Sequence, residues 1–232
     1  DYATFDKYIR TLTQTPVEGE TDIYQINDAK YIRIHMSESE DGRLGVISDA
    51  TKDMLQKKRM QYENTHDPLT RLYKYNPFKH LAAKKLHAMP SGQICAIVML
   101  DLDFFKTIND TFGHDAGDLY LQEFAEIMMK MPEENCQSAR RSGDEFCMMI
   151  YGCTAVNEIT DLLDVFYEML SRHEVAVASD QVKIISVSAG YAWTDTPDIS
   201  IEDLLAHADE ALYEVKRTLK GRYAEYEDKG IL

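Results

Sequence analysis

A continuous apolar run from Ile94 to Leu100 is the feature that most constrains what this chain can fold into. Ser91-Gly92 precede the run and Asp101 follows it, and such a run between turn residues is typical of a strand buried on both faces. Helical patterns and hairpin patterns alternate around it. This mixture predicts an α/β or α+β fold built on one central sheet.

The first 66 residues are predicted to form short strands followed by a helix. Three segments with alternating apolar residues are typical of strands: residues 23–26, 31–34 and 44–47. Turns are predicted at Asn27-Asp28 and at residues 39–42. Residues 51–66 are polar and free of Gly and Pro, which favours an exposed helix. We therefore place a domain boundary near residue 66, with a linker helix over 51–66 and a C-terminal domain over 67–232.

Beyond this boundary, Asp67-Pro68 fits an N-cap followed by proline at the first helical position. We predict a helix from there, past Pro77, to about Met89. Strand patterns on either side of residues 142–145 predict a hairpin with a tight turn. The remaining predicted elements are helices at 116–131, 156–172 and 200–219 and strands at 182–193 and 222–226.

Composition argues against some classes of function. The formal net charge of −15 argues against nucleic-acid binding, because duplex binding depends on basic residues. No apolar stretch approaches the roughly 18 residues of a membrane helix, so we expect no membrane contact from this fragment. The four cysteines form neither a zinc pattern nor a disulfide framework, which favours a cytoplasmic setting. Since the chain begins at Asp1 rather than Met, we expect a longer protein that could be membrane-anchored through a preceding segment.

Two acidic residues, Asp101 and Asp103, stand at the end of the apolar strand. Side chains two apart on a strand share a face, so both carboxylates should leave the sheet on one side. Hard oxygen ligands at a strand end suit Mg²⁺, which completes its coordination with water and substrate phosphates. The alternative is an ordinary solvated strand end.

A polar segment from Phe104 to Asp118 follows directly. Asn109 and Asp118 have side chains that could read the edge of a guanine, and Lys106 could face a phosphate. The alternative is a polar loop with a helix that starts at Asp115.

A pair of acids, Asp144 and Glu145, lies at the tip of the predicted hairpin. If the tip reaches Asp101, the carboxylates could hold one or two Mg²⁺ ions and so serve phosphoryl transfer. The alternative is an exposed acidic turn.

Together these segments resemble the motifs of GGDEF diguanylate cyclases. The matching segments, in the order of the family, are Asp67–Leu72, Asp101–Asp118, Arg140–Phe146, Ser186–Gly190 and Ala208–Lys216. The likeness covers residues 67 to about 226. It implies a central, mostly antiparallel sheet flanked by helices, in a fold related to the polymerase palm and to adenylyl cyclases.

The resemblance also implies what individual residues do. Asp101, the Leu102 carbonyl and Asp144 would hold Mg²⁺, with Mn²⁺ as a substitute. Asp144 would accept the proton of the attacking hydroxyl, with Glu145 in support of metal or substrate. The implied substrate-binding residues are Asn109 and Asp118 for guanine, Lys106 and Lys216 for phosphate, and His114, Phe105, Ser142 and Gly143 near the substrate.

The implied reaction joins two GTP molecules into cyclic di-GMP and releases two pyrophosphates. Each domain binds one GTP, and the 3′-oxygen of one attacks the α-phosphate of the other, so a homodimer is required. The strands within residues 1–50 loosely resemble the end of a PAS sensory module, with residues 41–44 at a turn between its final strands.

The sequence departs from the family at several positions. Ser142 replaces the first Gly of the signature. Its side chain could crowd a nucleotide if the backbone approaches the nucleotide closely, and it is strained if its φ is positive but tolerable if its φ is negative. Arg71 stands where the family usually has Gly. Either Lys220 or Arg222 could provide a second phosphate contact. Glu133 and Cys136 replace the Arg and Asp of the product-inhibition site, so we predict no feedback inhibition there.

Two hypotheses of different classes therefore compete. The first is an active cyclase, favoured by the intact metal and guanine positions. The second is a degenerate domain that binds GTP or a partner and signals without catalysis, favoured by Ser142 and the altered opening motif. A cyclase for another base would require a change at Asn109 or Asp118, and neither is changed.

Overall fold

The computed structural model describes residues 7, 9–11, 16–39 and 42–228. The chain folds as two compact units, residues 1–64 and residues 65–232.

The first unit contains a three-stranded antiparallel sheet with the strands in sequence order. Its elements are β1 (Ile23–Asn27), β2 (Lys30–Ser39), β3 (Gly42–Asp49) and helix α1 (Thr51–Thr65). Ile23, Tyr31, Ala50 and Met54 form a small buried cluster. The predicted strands and helix are present, whereas Glu40 and Asp41 of the predicted turn lie outside the described residues.

The second unit is built on a six-stranded sheet with the order β11-β10-β5-β7-β6-β4. In chain order, the strands of this unit are β4 (Tyr73–Lys74), β5 (Ile94–Leu102), β6 (Cys136–Ser142), β7 (Glu145–Cys153), β8 (Glu174–Ala178), β9 (Gln181–Ile184), β10 (Val187–Thr194) and β11 (Tyr223–Glu225). Strands β8 and β9 form a separate hairpin. In the six-stranded sheet, the outer pairs β4–β6 and β10–β11 are parallel and the inner pairs are antiparallel. All nine residues of β5 are buried, so the apolar run is an inner strand, as predicted.

Helices cover both faces of this sheet. They are α2 (Tyr75–His87), α3 (Phe105–Phe112), α4 (His114–Met129), α5 (Val156–Ser171) and α6 (Ile201–Thr218). Helices α2 and α6 pack with Cys95, Ile97 and Met99 of β5, whereas α4 and α5 contribute to the core on the opposite face of that strand. Helix α6 lies so close to β10 that a Cβ on Gly190 would come within 2.0 Å of the Leu212 amide nitrogen. The predicted fold class, a mostly antiparallel sheet flanked by helices, is confirmed.

The prediction of one helix from Asp67 to about Met89 is wrong. The Asp67 carboxylate accepts a hydrogen bond from the Thr70 amide at 2.9 Å, which closes a turn instead of starting a helix. Arg71 then takes the left-handed conformation, with φ 61°. Helix α2 begins only at Tyr75, so Pro77 lies in its first turn, where a missing amide costs no hydrogen bond.

Two further segments differ from the predicted pattern. The predicted strand at 182–193 is two strands, because β9 ends at Ile184 and β10 begins at Val187. Helix α3 occupies part of the segment that could have been a polar loop, and neither α3 nor β8 was predicted. Within the described ranges, no helix combines the length and the apolar character that crossing a bilayer requires.

Candidate active site at the end of strand β5

The predicted acidic residues meet where β5 ends and β7 begins. Asp101 and Glu145 are paired across these antiparallel strands, and the Leu102 amide donates a hydrogen bond to the Asp144 carbonyl at 3.1 Å. The hairpin tip therefore lies beside the end of the inner strand. Like charges directly opposite each other destabilise a sheet. The pairing of two acids is therefore more typical of a site that binds a cation than of a structural turn.

The electrostatics of Asp101 agree with this interpretation. Its side chain is buried, and burial raises the pKa of Asp101 above its ordinary value. Lys216 opposes this shift, since its Nζ lies 2.6 Å from Asp101 Oδ2, whereas the charges of Asp144 and Glu145 raise the pKa further. The site therefore gathers more negative charge than its own lysine neutralises.

This donor set fits Mg²⁺ or Mn²⁺. Carboxylate and carbonyl oxygens are the ligands that these cations prefer, and Mg²⁺ usually takes one or two protein carboxylates and fills its shell with water and phosphate. In the part of the chain that the structure describes, no three acidic, His or Cys side chains converge on one point. A cation held here would therefore rely on such outside ligands.

Asp103 makes contacts different from those of Asp101. Its carboxylate accepts hydrogen bonds from Ser186 Oγ at 2.8 Å, Ser188 Oγ at 2.9 Å and the Gly221 amide at 3.0 Å. Asp103 is only 2% exposed. It thereby ties the end of β5 to β10 and to the segment after α6, which identifies a structural use for the second acid of the pair.

The hairpin tip accommodates serine in place of the first glycine of the signature. Gly143 has φ 44°, a conformation that favours glycine. Ser142 does not need it, because among the described non-glycine residues only Arg71 and Phe104 have positive φ. The Ser142 hydroxyl donates a hydrogen bond to Glu145 Oε2 at 2.8 Å, so the side chain is turned toward its own hairpin.

Arg140, which was not predicted to be a site residue, holds this tip in place. Its Nε and Nη2 donate to the Gly143 carbonyl at 3.0 and 2.8 Å, and its Nη1 donates to Asp67 Oδ1 at 3.2 Å. Burial alone would raise the pKa of Asp67, but the hydrogen bonds from Thr70 and the charge of Arg140 outweigh it and hold that pKa below its ordinary value. The opening turn and the signature hairpin are thus linked by one guanidinium.

A second arginine fixes the other side of the hairpin. Arg141 Nη1 donates to both carboxylate oxygens of Asp209 at 2.8 and 2.9 Å, and its Nε lies 4.0 Å from Glu145 Oε2. Both arginines were visible in the matched motif. Their partners lie 73 and 68 residues away in the chain, so nothing local in the sequence indicated these pairs.

The guanine-reading candidates come from α3 and α4. The Asn109 side chain lies against Gly117, where a Cβ would come within 1.9 Å of Asn109 Oδ1. This places Asn109 beside the helix turn that carries Asp118. Asp118 and His114 are exposed on α4, and Lys106 is exposed in the first turn of α3.

The two phenylalanines after Asp103 point to different environments. Phe105 packs at the edge of the core with its ring centroid 6.4 Å from that of Tyr120. Phe104 is 62% exposed and has φ 61°, an uncommon backbone conformation for a bulky residue. Lys220 Nζ lies 4.7 Å from the Phe104 ring centroid.

The two candidates for a second phosphate contact are separated by the structure. Lys220 lies over Phe104, next to the end of β5. Arg222 donates to Thr218 Oγ1 at 3.3 Å and lines a groove with Glu210, Glu214 and Glu225. The geometry therefore favours Lys220 over Arg222 as a cation near the candidate site.

The positions that replace the family's product-inhibition motif lie elsewhere. Glu133 and Cys136 line a groove of about 290 Å³, together with Arg71, Gln137 and several methionines of the end of α4 and the loop after it. Burial raises the pKa of the Cys136 thiol to about 12. Neither side chain reproduces the charge pair of an Arg and an Asp.

Comparison with known proteins identifies the family of the chain. The family model described as "Diguanylate cyclase, GGDEF domain" matches residues 64–222. The probable diguanylate cyclase DgcE of Escherichia coli K12 is 30% identical over 187 residues, which cover 80% of this chain and 17% of that protein. Diguanylate cyclase A of Treponema denticola is 31% identical over 163 residues, 68% of this chain and 43% of the relative. The chain therefore spans less than half the length of these relatives.

Solved structures show the same fold. The GGDEF domain of DgcB from Caulobacter crescentus, determined in complex with c-di-GMP, matches with a TM-score of 0.64 and 28% identity, over 71% of this chain and 96% of that one. The GGDEF domain of YfiN from Pseudomonas aeruginosa matches with a TM-score of 0.63 and 28% identity, over 70% and 94%. Residues 64–222 match the family model and account for more than half of the chain, and the chain accordingly belongs to the diguanylate cyclase GGDEF domain family.

Proposed function

We propose that the second unit is an active diguanylate cyclase that joins two GTP molecules into cyclic di-GMP, with Mg²⁺ or Mn²⁺ as cofactor. One observation carries the proposal: Asp101 and Glu145 face each other across β5 and β7, with Asp144 at the adjoining turn. Lys216 and Arg141 lie near two of these acids, and a further positive ligand would offset the repulsion that remains between like charges on neighbouring strands. Family membership makes a cation–nucleotide complex that ligand.

The chain's own residues divide the work of positioning. Asp101, Asp144 and the Leu102 carbonyl would hold the cation, and a bound cation would supply stabilisation of the negative charge that develops on phosphate. Asn109 and Asp118 bind the guanine edge, and His114, Phe105, Ser142 and Gly143 line the substrate. Lys106, Lys216 and Lys220 bind phosphate oxygens. Arg140 keeps the tip in register through the Gly143 carbonyl.

The reaction requires two copies of the domain. The 3′-hydroxyl of one GTP attacks the α-phosphate of the GTP on the facing domain, forming a P–O bond as the bond to pyrophosphate breaks. Asp144 accepts the hydroxyl proton. In a second attack, the 3′-hydroxyl of the other nucleotide displaces pyrophosphate from the remaining α-phosphate and closes the ring. Two pyrophosphates therefore leave for each cyclic product.

The second hypothesis, a degenerate binding domain, is weakened at one of its two supports. It relied in part on Ser142, which would be strained if its backbone needed a positive φ. The serine has no such requirement and directs its hydroxyl to Glu145. Arg71, the other departure, belongs to the opening turn and not to the carboxylate cluster.

Incubation with GTP and Mg²⁺, followed by mass spectrometry for cyclic di-GMP, tests the proposal over a range of protein concentrations. We expect product from the parent and a rate at least about 100-fold lower from Asp144→Ala. Asp180→Ala is the matched control, because Asp180 is an exposed acid in the β8–β9 turn. GTP binding without product at every concentration would favour the degenerate domain instead.

A further inference from the structure

The position of Lys216 carries an inference about the order in which ligands enter the site. Lys216 lies in the last turn of α6, and its Nζ is 2.6 Å from Asp101 Oδ2. Asp101 lies near the end of the inner strand β5, and its side chain is only 10% exposed, whereas the Lys216 side chain is 37% exposed. The Asp101 carboxylate is therefore held by its surroundings, whereas the ammonium group that neutralises it is carried by the flexible side chain of Lys216.

A lysine and a divalent cation compete for the same carboxylate oxygen. An ammonium group at 2.6 Å occupies the approach to Asp101 Oδ2, and its positive charge repels a second cation through a partly desolvated region. If Lys216 leaves, Asp101 stands opposite Glu145 without its counter-ion. Two outcomes are stable: the lysine on Asp101, or a metal ion on Asp101 with the lysine on another anion.

We propose that Lys216 is a displaceable counter-ion, which holds Asp101 in the empty site and moves to a nucleotide phosphate when the cation takes its place. The inference rests on the proposed function and deepens it. It assigns to Lys216 a coupling of metal and nucleotide binding: the triphosphate offers the lysine a new partner, so each ligand strengthens the binding of the other by the same factor. Metal alone binds weakly, and the metal–nucleotide complex is the form that loads the site.

Lys216→Gln separates the two partners of the lysine. Without the ammonium group, Asp101 is open to metal, so Mn²⁺ alone should bind about tenfold more tightly than to the parent. The nucleotide loses a phosphate contact, so a non-hydrolysable GTP analogue should bind about tenfold more weakly. If the ion pair were only structural, Lys216→Gln would weaken the binding of both Mn²⁺ and the nucleotide analogue. Opposite changes in the two affinities therefore distinguish the counter-ion role from a structural one.

The measurement is Mn²⁺ binding by electron paramagnetic resonance, with and without the analogue. Arg217→Gln is the matched control: it removes the same charge from the next residue of α6, whose guanidinium lies over Tyr213. We expect it to bind Mn²⁺ like the parent. Unchanged or weaker binding of Mn²⁺ alone by Lys216→Gln would overturn the inference, even if the parent binds Mn²⁺ with the analogue and makes product.

Failure of the proposed function gives a different result. In that case the parent binds no Mn²⁺ even with the analogue, Asp101→Asn changes nothing, and no cyclic di-GMP forms. Both the cyclase proposal and the counter-ion inference would then be rejected. Binding of Mn²⁺ by the parent that is equally tight with and without the analogue would reject the coupling alone.

Discussion

Two turns of the second unit carry a side chain where the family usually has glycine, and they accommodate it differently. Ser142 at the signature hairpin has an ordinary backbone conformation and gains a hydrogen bond to Glu145. Arg71 at the opening turn has φ 61°, in the region where a Cβ is crowded. The same replacement of glycine is therefore close to neutral in one turn and strained in the other.

The comparison teaches that a departure from a family pattern has to be judged by backbone geometry. From the sequence, Ser142 was the change more expected to reduce activity, because it lies inside the catalytic signature. By structure, the strain is at Arg71, which is separated from the carboxylates. The two turns remain connected, because Arg140 donates to Gly143 in one and to Asp67 in the other.

Breaking the connection between the turns should have the largest effect. Arg140→Met keeps the aliphatic stem but removes three hydrogen bonds. We expect the free energy of unfolding to fall by about 2 kcal/mol and the rate of cyclic di-GMP formation to fall about 100-fold, because the tip loses its position. Denaturant unfolding and the product assay measure the two effects.

Arg172→Met is the control for Arg140→Met. Arg172, the residue after the end of α5, forms an exposed ion pair with Glu168 of that helix, and the Arg172 side chain is 76% exposed. Its replacement should change stability by less than about 0.5 kcal/mol and leave the rate unchanged. Equal losses in the two variants would mean that Arg140 does not link the turns.

Relief of strain at the opening turn should have the next largest effect. Arg71→Gly and Arg71→Ala remove the same side-chain contacts, but only glycine adopts a positive φ without cost. After the greater entropy of unfolded glycine is subtracted, we expect Arg71→Gly to be about 1 kcal/mol more stable than Arg71→Ala. Denaturant midpoints of the two variants decide this, and equal midpoints would show that the turn is unstrained.

The ion pair of the opening turn should give a smaller, pH-dependent effect. Because the folded pKa of Asp67 lies below the ordinary value of 3.8, the ionised carboxylate stabilises the fold above about pH 3.8, and this contribution is lost as pH falls through the folded pKa. Asp67→Asn should therefore be about 0.5 kcal/mol less stable than the parent at pH 6. The gap should narrow by pH 3 in urea unfolding curves; a gap independent of pH would contradict the assignment.

The smallest effect is expected at the signature hairpin. Ser142→Gly restores the family residue and removes one exposed hydrogen bond, so stability should fall by about 0.5 kcal/mol or less. The cyclase rate should change by less than about threefold, since such a bond contributes little in water. A rate increase of tenfold or more would indicate that the serine side chain crowds the nucleotide after all.

The sequence was sufficient to predict the fold class, the inner strand and the hairpin. The run from Ile94 to Leu100 has no alternating polar residues that could face solvent, which indicates a strand covered on both faces. The hairpin around Gly143 follows from strand patterns on both sides of a tight turn. The helix after Asp67 was mispredicted because an N-cap and an Asp-initiated turn use the same carboxylate–amide hydrogen bond.

Local patterns by themselves thus determined which residues are chemically able to form a site: the acids at the ends of two strands and the polar segment between them. Only the tertiary structure decided how they are used. In the folded chain, Asp103 accepts hydrogen bonds from two serine hydroxyls and Asp101 forms an ion pair with Lys216. Arg140 donates a hydrogen bond to the Asp67 carboxylate, 73 residues away in the chain. Hydrogen bonds and ion pairs depend on distances of a few ångströms between remote segments, and those distances exist only after the sheet and helices have packed.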